Sequence, residues 1–276
     1  MTPDWRPVIR GRTNPCPHAI CIAIFILLPA VSIGFQAKEQ KTVSVAAAAD
    51  LKFAMEELSK EFESKTGAKV DVTTGSSGNF FAQIQNGAPF DLFFSADMDY
   101  PRRLESSGFA EPGTLCEYAS GQIVIWTPAD SQVNVVQEKW NALLDARVQK
   151  IAIANPALAP YGRAAVSALQ KAGIYAHVKA KLVYGENISQ AAQFVQSGNA
   201  QAGIVARSLA LSPGMKGGKM WVIPTDRHPP IEQGAIVIKG AKNKASAFEF
   251  LNFIKSAPGR SILEKHGFAV PVSKKP

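Results

Sequence analysis

Three short stretches of this 276-residue chain place small polar residues where an apolar run gives way to a helix. They are Val43 to Asp50 (VSVAAAAD), Val70 to Gly78 (VDVTTGSSG) and Val183 to Ser189 (VYGENIS). A helix start leaves backbone N–H groups without an intrahelical acceptor, and the positive end of the helix dipole lies behind them. Several such starts gathered at one cleft hold an anion with no need of lysine or arginine. The chemistry this pattern offers is retention of a small oxyanion by neutral donors. Ser77 is the foremost side chain for it, because its hydroxyl and its backbone N–H can both donate. Gly75 and Gly78 beside it permit close backbone approach. Spacing alone also allows Ser77 to be a plain helix N-cap, a position that serine fills often. Tyr161, in the turn Ala159-Pro160-Tyr161-Gly162, offers a phenol or simply packs, and Ile188 offers only a backbone N–H.

The elements that must position these residues follow from periodicity. Leu51, Ala54, Met55, Leu58 and Phe62 recur at helical spacing, with Gly67 as the stop. A strand is expected at 70–72, a short helix at 79–85, and a buried parallel strand at 91–95 (DLFFS). Asp97 can cap the helix that runs on to Gly108. A second region begins at 122–126. It reads as a helix at 138–144, a strand at 151–154, a Pro-Gly loop at 155–162, a helix at 163–171 stopped by Gly173, and a helix reaching Ser197. Further strands are expected at 202–205, 220–223 and 234–238, with closing helices at 245–255 and 259–266. Strands alternating with helices imply mostly parallel sheets covered on both faces. Boundary signals near 120–121 and 226–233 suggest two crossings between lobes. The expected arrangement is lobe 1 from 38–121 plus 232–276 and lobe 2 from 122–231, with ligand at the carboxyl ends of the strands.

Composition narrows the classes. Arg6, Arg10 and Arg12 precede an uncharged apolar stretch, Ala19 to Phe35, broken by Pro29. This reads as a secretory signal peptide over 1–37, cut after Gly34 or Ala37, and so as export to the periplasm. A membrane anchor is the rival, but a span wants about 20 apolar residues without an early proline. The whole chain has a net charge of +8. Without Arg6, Arg10, Arg12 and Asp4, 27 Lys+Arg face 21 Asp+Glu, a net charge of +6. The lysines are interleaved with acids and lack stacking aromatics, so nucleic acid is not an expected partner. Beyond position 37 Cys116 stands alone, so no internal disulfide is expected. His18, His177, His228 and His266 lie far apart, and no His/Cys set has metal-ligand spacing. No nucleophile–base pair or nucleotide loop supports an enzyme, and no cofactor is expected.

The same residues carry a resemblance. Ala47-Ala48-Ala49-Asp50-Leu51, Gly75-Ser76-Ser77-Gly78, 87–97 (GAPFDLFFSAD), Asn155-Pro156 with 159–162 (APYG), and Gly267-Phe268 stand in the order and spacing of the periplasmic molybdate-binding proteins of ATP-driven uptake systems. The chain resembles that family over about residues 41–272. The resemblance implies a two-lobed α/β type II periplasmic-binding-protein fold, each lobe a mixed, mostly parallel sheet flanked by helices. It implies a monomer that holds molybdate or tungstate in the interlobe cleft and delivers it to an ABC permease. Carried over, the oxyanion site comprises Ala49, Asp50, Ser76, Ser77, Tyr161 and Ile188. Two positions depart from the family. Asp50 stands where a neutral serine or asparagine is usual, and Ala206 stands where some members have a binding tyrosine, a role that Tyr161 takes over from the other side of the cleft. A carboxylate repels a dianion unless it is protonated. Asp50 either caps the following helix, leaving nearby N–H groups to the ligand, or accepts from a protonated oxyanion. The second option keeps sulfate, thiosulfate or phosphate open as ligands.

Overall fold

The computed structural model describes residues 42–271, so the expected signal peptide lies outside the described residues. The chain forms β1 (Thr42–Ala48), α1 (Lys52–Thr66), β2 (Lys69–Gly75), α2 (Ser77–Gln85), β3 (Leu92–Ser95), α3 (Asp99–Ser106) and β4 (Cys116–Gly121). It continues with β5 (Ile123–Thr127), α4 (Val135–Glu138), β6 (Ile151–Ala154), α5 (Pro160–Lys171), α6 (Tyr175–Val178), β7 (Leu182–Gly185), α7 (Ile188–Gln196), β8 (Ala202–Ala206), α8 (Arg207–Ala210) and β9 (Lys219–Val222). It closes with β10 (Ile231–Val237), α9 (Lys244–Lys255) and α10 (Ala257–Lys265). Among the described residues no helix is long and apolar enough to cross a membrane.

Two five-stranded sheets result, ordered β2-β1-β3-β10-β4 and β7-β6-β8-β5-β9. In the first, β1 pairs in parallel with β2 and β3, and β10 runs antiparallel to β3 and β4. In the second, β6 pairs in parallel with β7 and β8, and β5 runs antiparallel to β8 and β9. Each sheet is therefore mixed and mostly parallel, with one reversed strand next to its edge. Apolar packing follows the two-residue period of a strand. Val43, Val45 and Ala47 of β1 pack with Leu58 and Phe62 of α1 and Phe250 of α9, while Ala46 packs with Phe80, Phe93 and Ile236 on the other face.

Register sets the site. Ala48 pairs with Gly75 at the carboxyl ends of β1 and β2, and Ala154 pairs with Gly185 at those of β6 and β7. The turns that follow each pair of strands are therefore side by side. Sequence and structure differ at several element starts. β4 and α6 are additional, the helix expected at 138–144 takes the form of a 3₁₀ turn at Lys139–Leu143 that continues the short α4, and α5 begins at Pro160, three residues before the expected helix at 163. Proline at the first helical position has no N–H to leave unpaired, and its fixed φ suits that place, so it opens the helix instead of delaying it. Gly67 and Gly173 do end α1 and α5 regions, each at positive φ.

Gly162 in α5 lies against the end of β6, where an added Cβ would stand 2.2 Å from the Ala154 carbonyl oxygen and 2.8 Å from the Pro156 nitrogen. Backbone cannot yield as a flexible side chain does, and overpacking of this kind costs about 1–3 kcal/mol. Gly162→Ala should lower the melting temperature by about 2–4 °C for each kcal/mol lost. Gly217→Ala, where nothing lies within 4 Å of the added atom, should leave it unchanged in the same thermal melt.

Candidate oxyanion site between the lobes

A small cavity, of about 10 Å³, lies where the strand ends of the two sheets meet. Its lining includes Ala49, Asp50, Ser76, Ser77, Tyr161 and Ile188, the six residues singled out by sequence, and none of its lining residues is lysine or arginine. Ser77 is the first residue of α2 and Ile188 the first of α7, so each presents a backbone N–H with no intrahelical acceptor. Ala49 opens a 3₁₀ turn, Ala49–Leu51, that joins β1 to α1.

The three side chains with hydroxyls behave differently. Ser77 is not a cap: the N-cap of α2 is Ser76, and Ser77 Oγ accepts from the Ala96 N–H at 3.0 Å. That bond uses a lone pair and leaves the hydroxyl proton of Ser77 available. Ser76 Oγ donates to the Leu158 carbonyl at 2.6 Å, so its hydroxyl is already committed across the cleft. Tyr161, expected to offer its phenol to a ligand, donates it instead to Asp50 Oδ2 at 2.9 Å.

Asp50 does not cap a helix either. Neither the 3₁₀ turn nor α1 has a side-chain cap. Its carboxyl is 1 % exposed and belongs to a buried chain of hydrogen bonds. Gln233 Nε2 donates to Asp50 Oδ2 at 2.5 Å and to the Tyr161 hydroxyl at 3.0 Å, and Gln233 Oε1 accepts from the Tyr118 hydroxyl at 2.7 Å. Asp50 Oδ1 is buried and has no hydrogen-bond partner. Burial pushes the Asp50 carboxyl from 3.8 up to about 6, against the Gln233 and Tyr161 hydrogen bonds that pull it down. Burial also drives the Tyr161 and Tyr118 hydroxyls well above the usual range, helped by the neighbouring Asp50.

Gln233 and Tyr118 are absent from the sequence reading. Their signal was available: Gln233 is a polar residue in phase with Ile231, Ala235 and Val237, on the face of the strand that is otherwise apolar. Such a residue faces inward and must find partners there. Ala206, at the end of β8, is fully buried and offers the cavity no polar side chain. Cys116 is half-buried, with its thiol pushed up by burial, which suits a packed residue and not a nucleophile. Among the described residues no cluster of metal-binding side chains occurs.

The cleft is closed by direct bonds between segments that carry the two sheets. Gly78 N–H donates to the Leu158 carbonyl at 2.9 Å, Ser189 Oγ to the Ala49 carbonyl at 2.9 Å, and Ser208 Oγ to the Asp50 carbonyl at 2.9 Å. At the rim, Asn79 Nδ2 donates to Glu186 Oε1 at 2.6 Å, and Arg163 pairs with Asp97. Arg163, two residues after Tyr161, is thus engaged with the opposite lobe.

Known proteins with this geometry make the relationship explicit. The family model described as bacterial extracellular solute-binding protein matches residues 43–269. The molybdate-binding protein ModA of Rhodobacter capsulatus is 38% identical over 226 residues, covering 82% of this chain and 87% of that protein. Its namesake from Azotobacter vinelandii is 36% identical over 235 residues, covering 85% and 92%. The solved structure of the Azotobacter vinelandii periplasmic molybdate-binding protein matches with a TM-score of 0.79 at 34% identity, over 83% of this chain and 100% of that one. With its two mixed sheets and a closed cleft at their strand ends, the chain belongs to the bacterial extracellular solute-binding proteins, a family that binds and hands over solutes and is not a family of enzymes.

Proposed function

We propose that this protein captures molybdate, and tungstate with it, in the periplasm and presents it to an ABC permease as a monomer. One observation carries the reading: the interlobe cavity is lined by helix starts and a serine with a free hydroxyl proton, and by no cation. The proposed donors are the hydroxyl and N–H of Ser77, the N–H of Ile188 and the N–H groups at Ala49 and Asp50. Ser76 and Tyr161 complete the wall, Ser76 by tying the lobes together and Tyr161 by holding Asp50. The likeness to proteins named for molybdate supports the choice among oxyanions. Size supports it physically, because a smaller tetrahedral dianion such as sulfate leaves some donors out of reach. Each buried donor left unpaired costs about 1–3 kcal/mol.

A second reading has an observation of its own. The unpartnered Asp50 Oδ1 suits an acceptor for a protonated oxyanion such as hydrogen phosphate. Calorimetry with molybdate, tungstate, sulfate and phosphate at about pH 6 separates the two. Tight molybdate and tungstate binding without phosphate binding is the expected result, and the reverse order would defeat the molybdate reading.

Two variants test the geometry. Ser77→Ala removes one donor and should weaken molybdate binding roughly ten- to hundredfold. Unchanged affinity would remove Ser77 from the site. Arg163→Ala should weaken binding less than about fivefold, because the Arg163–Asp97 pair is half-exposed at the rim and such pairs contribute only about 0.2–1 kcal/mol. In the wild type, raising sodium chloride should change the equilibrium affinity little. A steep salt dependence abolished by Arg163→Ala would show that an ion pair carries the binding.

A further inference from the structure

Asp50 is the one lining residue whose chemistry the neutral-donor site does not yet use. Its two oxygens are inequivalent. Oδ2 already accepts from Tyr161 and Gln233. The Gln233 amide is oriented by its own Oε1, which accepts from Tyr118, so its nitrogen faces the carboxyl as a donor. Oδ1, equally buried, has no partner, and the residue lines the cavity. A proton on this carboxyl therefore belongs on Oδ1, the one oxygen left without a partner on a residue that lines the cavity. An ionised carboxylate there would repel a dianion held in the same cavity, with no cation in the lining to offset it.

We infer that Asp50 binds the oxyanion in its neutral form: Oδ2 stays on Tyr161 and Gln233 while the Oδ1 proton donates to an anion oxygen, so capture takes up one proton from solvent wherever the free carboxyl is ionised. The inference rests on the oxyanion reading above and deepens it. It makes Asp50 a binding residue and makes affinity fall with rising pH. The sign follows from linkage. The complex holds one more proton than the free protein wherever free Asp50 is ionised, so affinity falls as pH climbs past the free carboxyl's titration near 6 and levels off below it.

The neighbouring groups do not supply an alternative titration. From α5 and β4 the facing groups are the hydroxyls of Tyr161 and Tyr118, which burial keeps protonated far above neutrality. From β10 it is the amide of Gln233, and from α8 the Ser208 hydroxyl on the Asp50 carbonyl. Asp97 and Arg163 are engaged with each other, and Arg207 bonds Gln122.

The test is calorimetric titration of sodium molybdate into the mature protein from about pH 5.5 to about pH 8.5, in buffers of differing ionisation enthalpy. The wild type should lose affinity about tenfold per pH unit above about pH 7 and take up about one proton there. Asp50→Asn keeps the shape and a donor but cannot titrate, so its affinity should be flat across the range. Tyr161→Phe withdraws one donor from the ionised form, so the onset of the decline should move to higher pH. A flat wild-type profile without proton uptake, or an Asp50→Asn profile with the wild-type slope, would overturn the inference while leaving oxyanion capture intact. Absence of molybdate binding at every pH would instead overturn the function on which it rests.

Discussion

A buried carboxyl without a cation is the constraint around which the centre of this molecule is arranged. Removing a carboxylate from water costs several kcal/mol unless neighbours repay it. Around Asp50 the repayment is incomplete: two donors converge on one oxygen and none on the other. The donors come from distant segments, Tyr161 from α5 and Gln233 from β10, and Tyr118 of β4 fixes the second. Asp50 follows a strand of the first sheet, whereas Tyr161 follows a strand of the second. Their bond exists only while the lobes are together.

The sheets make this convergence unavoidable. Both carry the same order, three parallel strands, then a reversed strand, then an edge strand. The reversed strand is the one adjoining each crossing. β5 begins two residues after β4 ends in the other sheet, and β10 returns from the second sheet to the first. Running against their neighbours, β5 and β10 bring the crossing segments to the carboxyl ends of the parallel strands. Gln233 is on β10 for this reason, at the base of the cleft beneath the helix starts. Close approach is paid for in side-chain volume at Gly121, where an added Cβ would fall 2.1 Å from the Tyr161 hydroxyl.

Much of this was legible in the residues. Leu92 to Ser95 is buried throughout and reads as a continuous apolar run, and α1 shows its helical stripe from Ala54 to Phe62. The small-residue turns correctly marked the helix starts, because few other residues let strand, turn and ligand meet so closely. What the sequence concealed was partnership. Nothing in the spacing of Asp50, Tyr161 and Gln233, 111 and 183 residues apart from the first, announces that they meet. A helix cap is a local device and suits an aspartate before a helix, whereas the side-chain donors to Asp50 come from Tyr161 and Gln233, far along the chain. β4 was missed because its alternation is broken, with Tyr118, Ala119 and Gly121 buried and Glu117 exposed. Its edge position tolerates that irregularity.

The lack of a cation in the lining shapes selectivity as much as affinity. A buried lysine or arginine would attract any anion of suitable charge, because Coulomb attraction falls off gently with distance. Hydrogen bonds from fixed backbone groups do not: they weaken steeply once distance and angle depart from their narrow range. The N–H groups of Ser77 and Ile188, the proposed donors, follow closely on Gly75 and Gly185, which are held in the sheets, so their positions are fixed by the fold. The +6 net charge of the chain beyond residue 37 can still raise the rate of anion encounter without entering the site. In the proposed site the outer field would gather anions indiscriminately, and the neutral lining would favour one whose oxygens reach every donor at once.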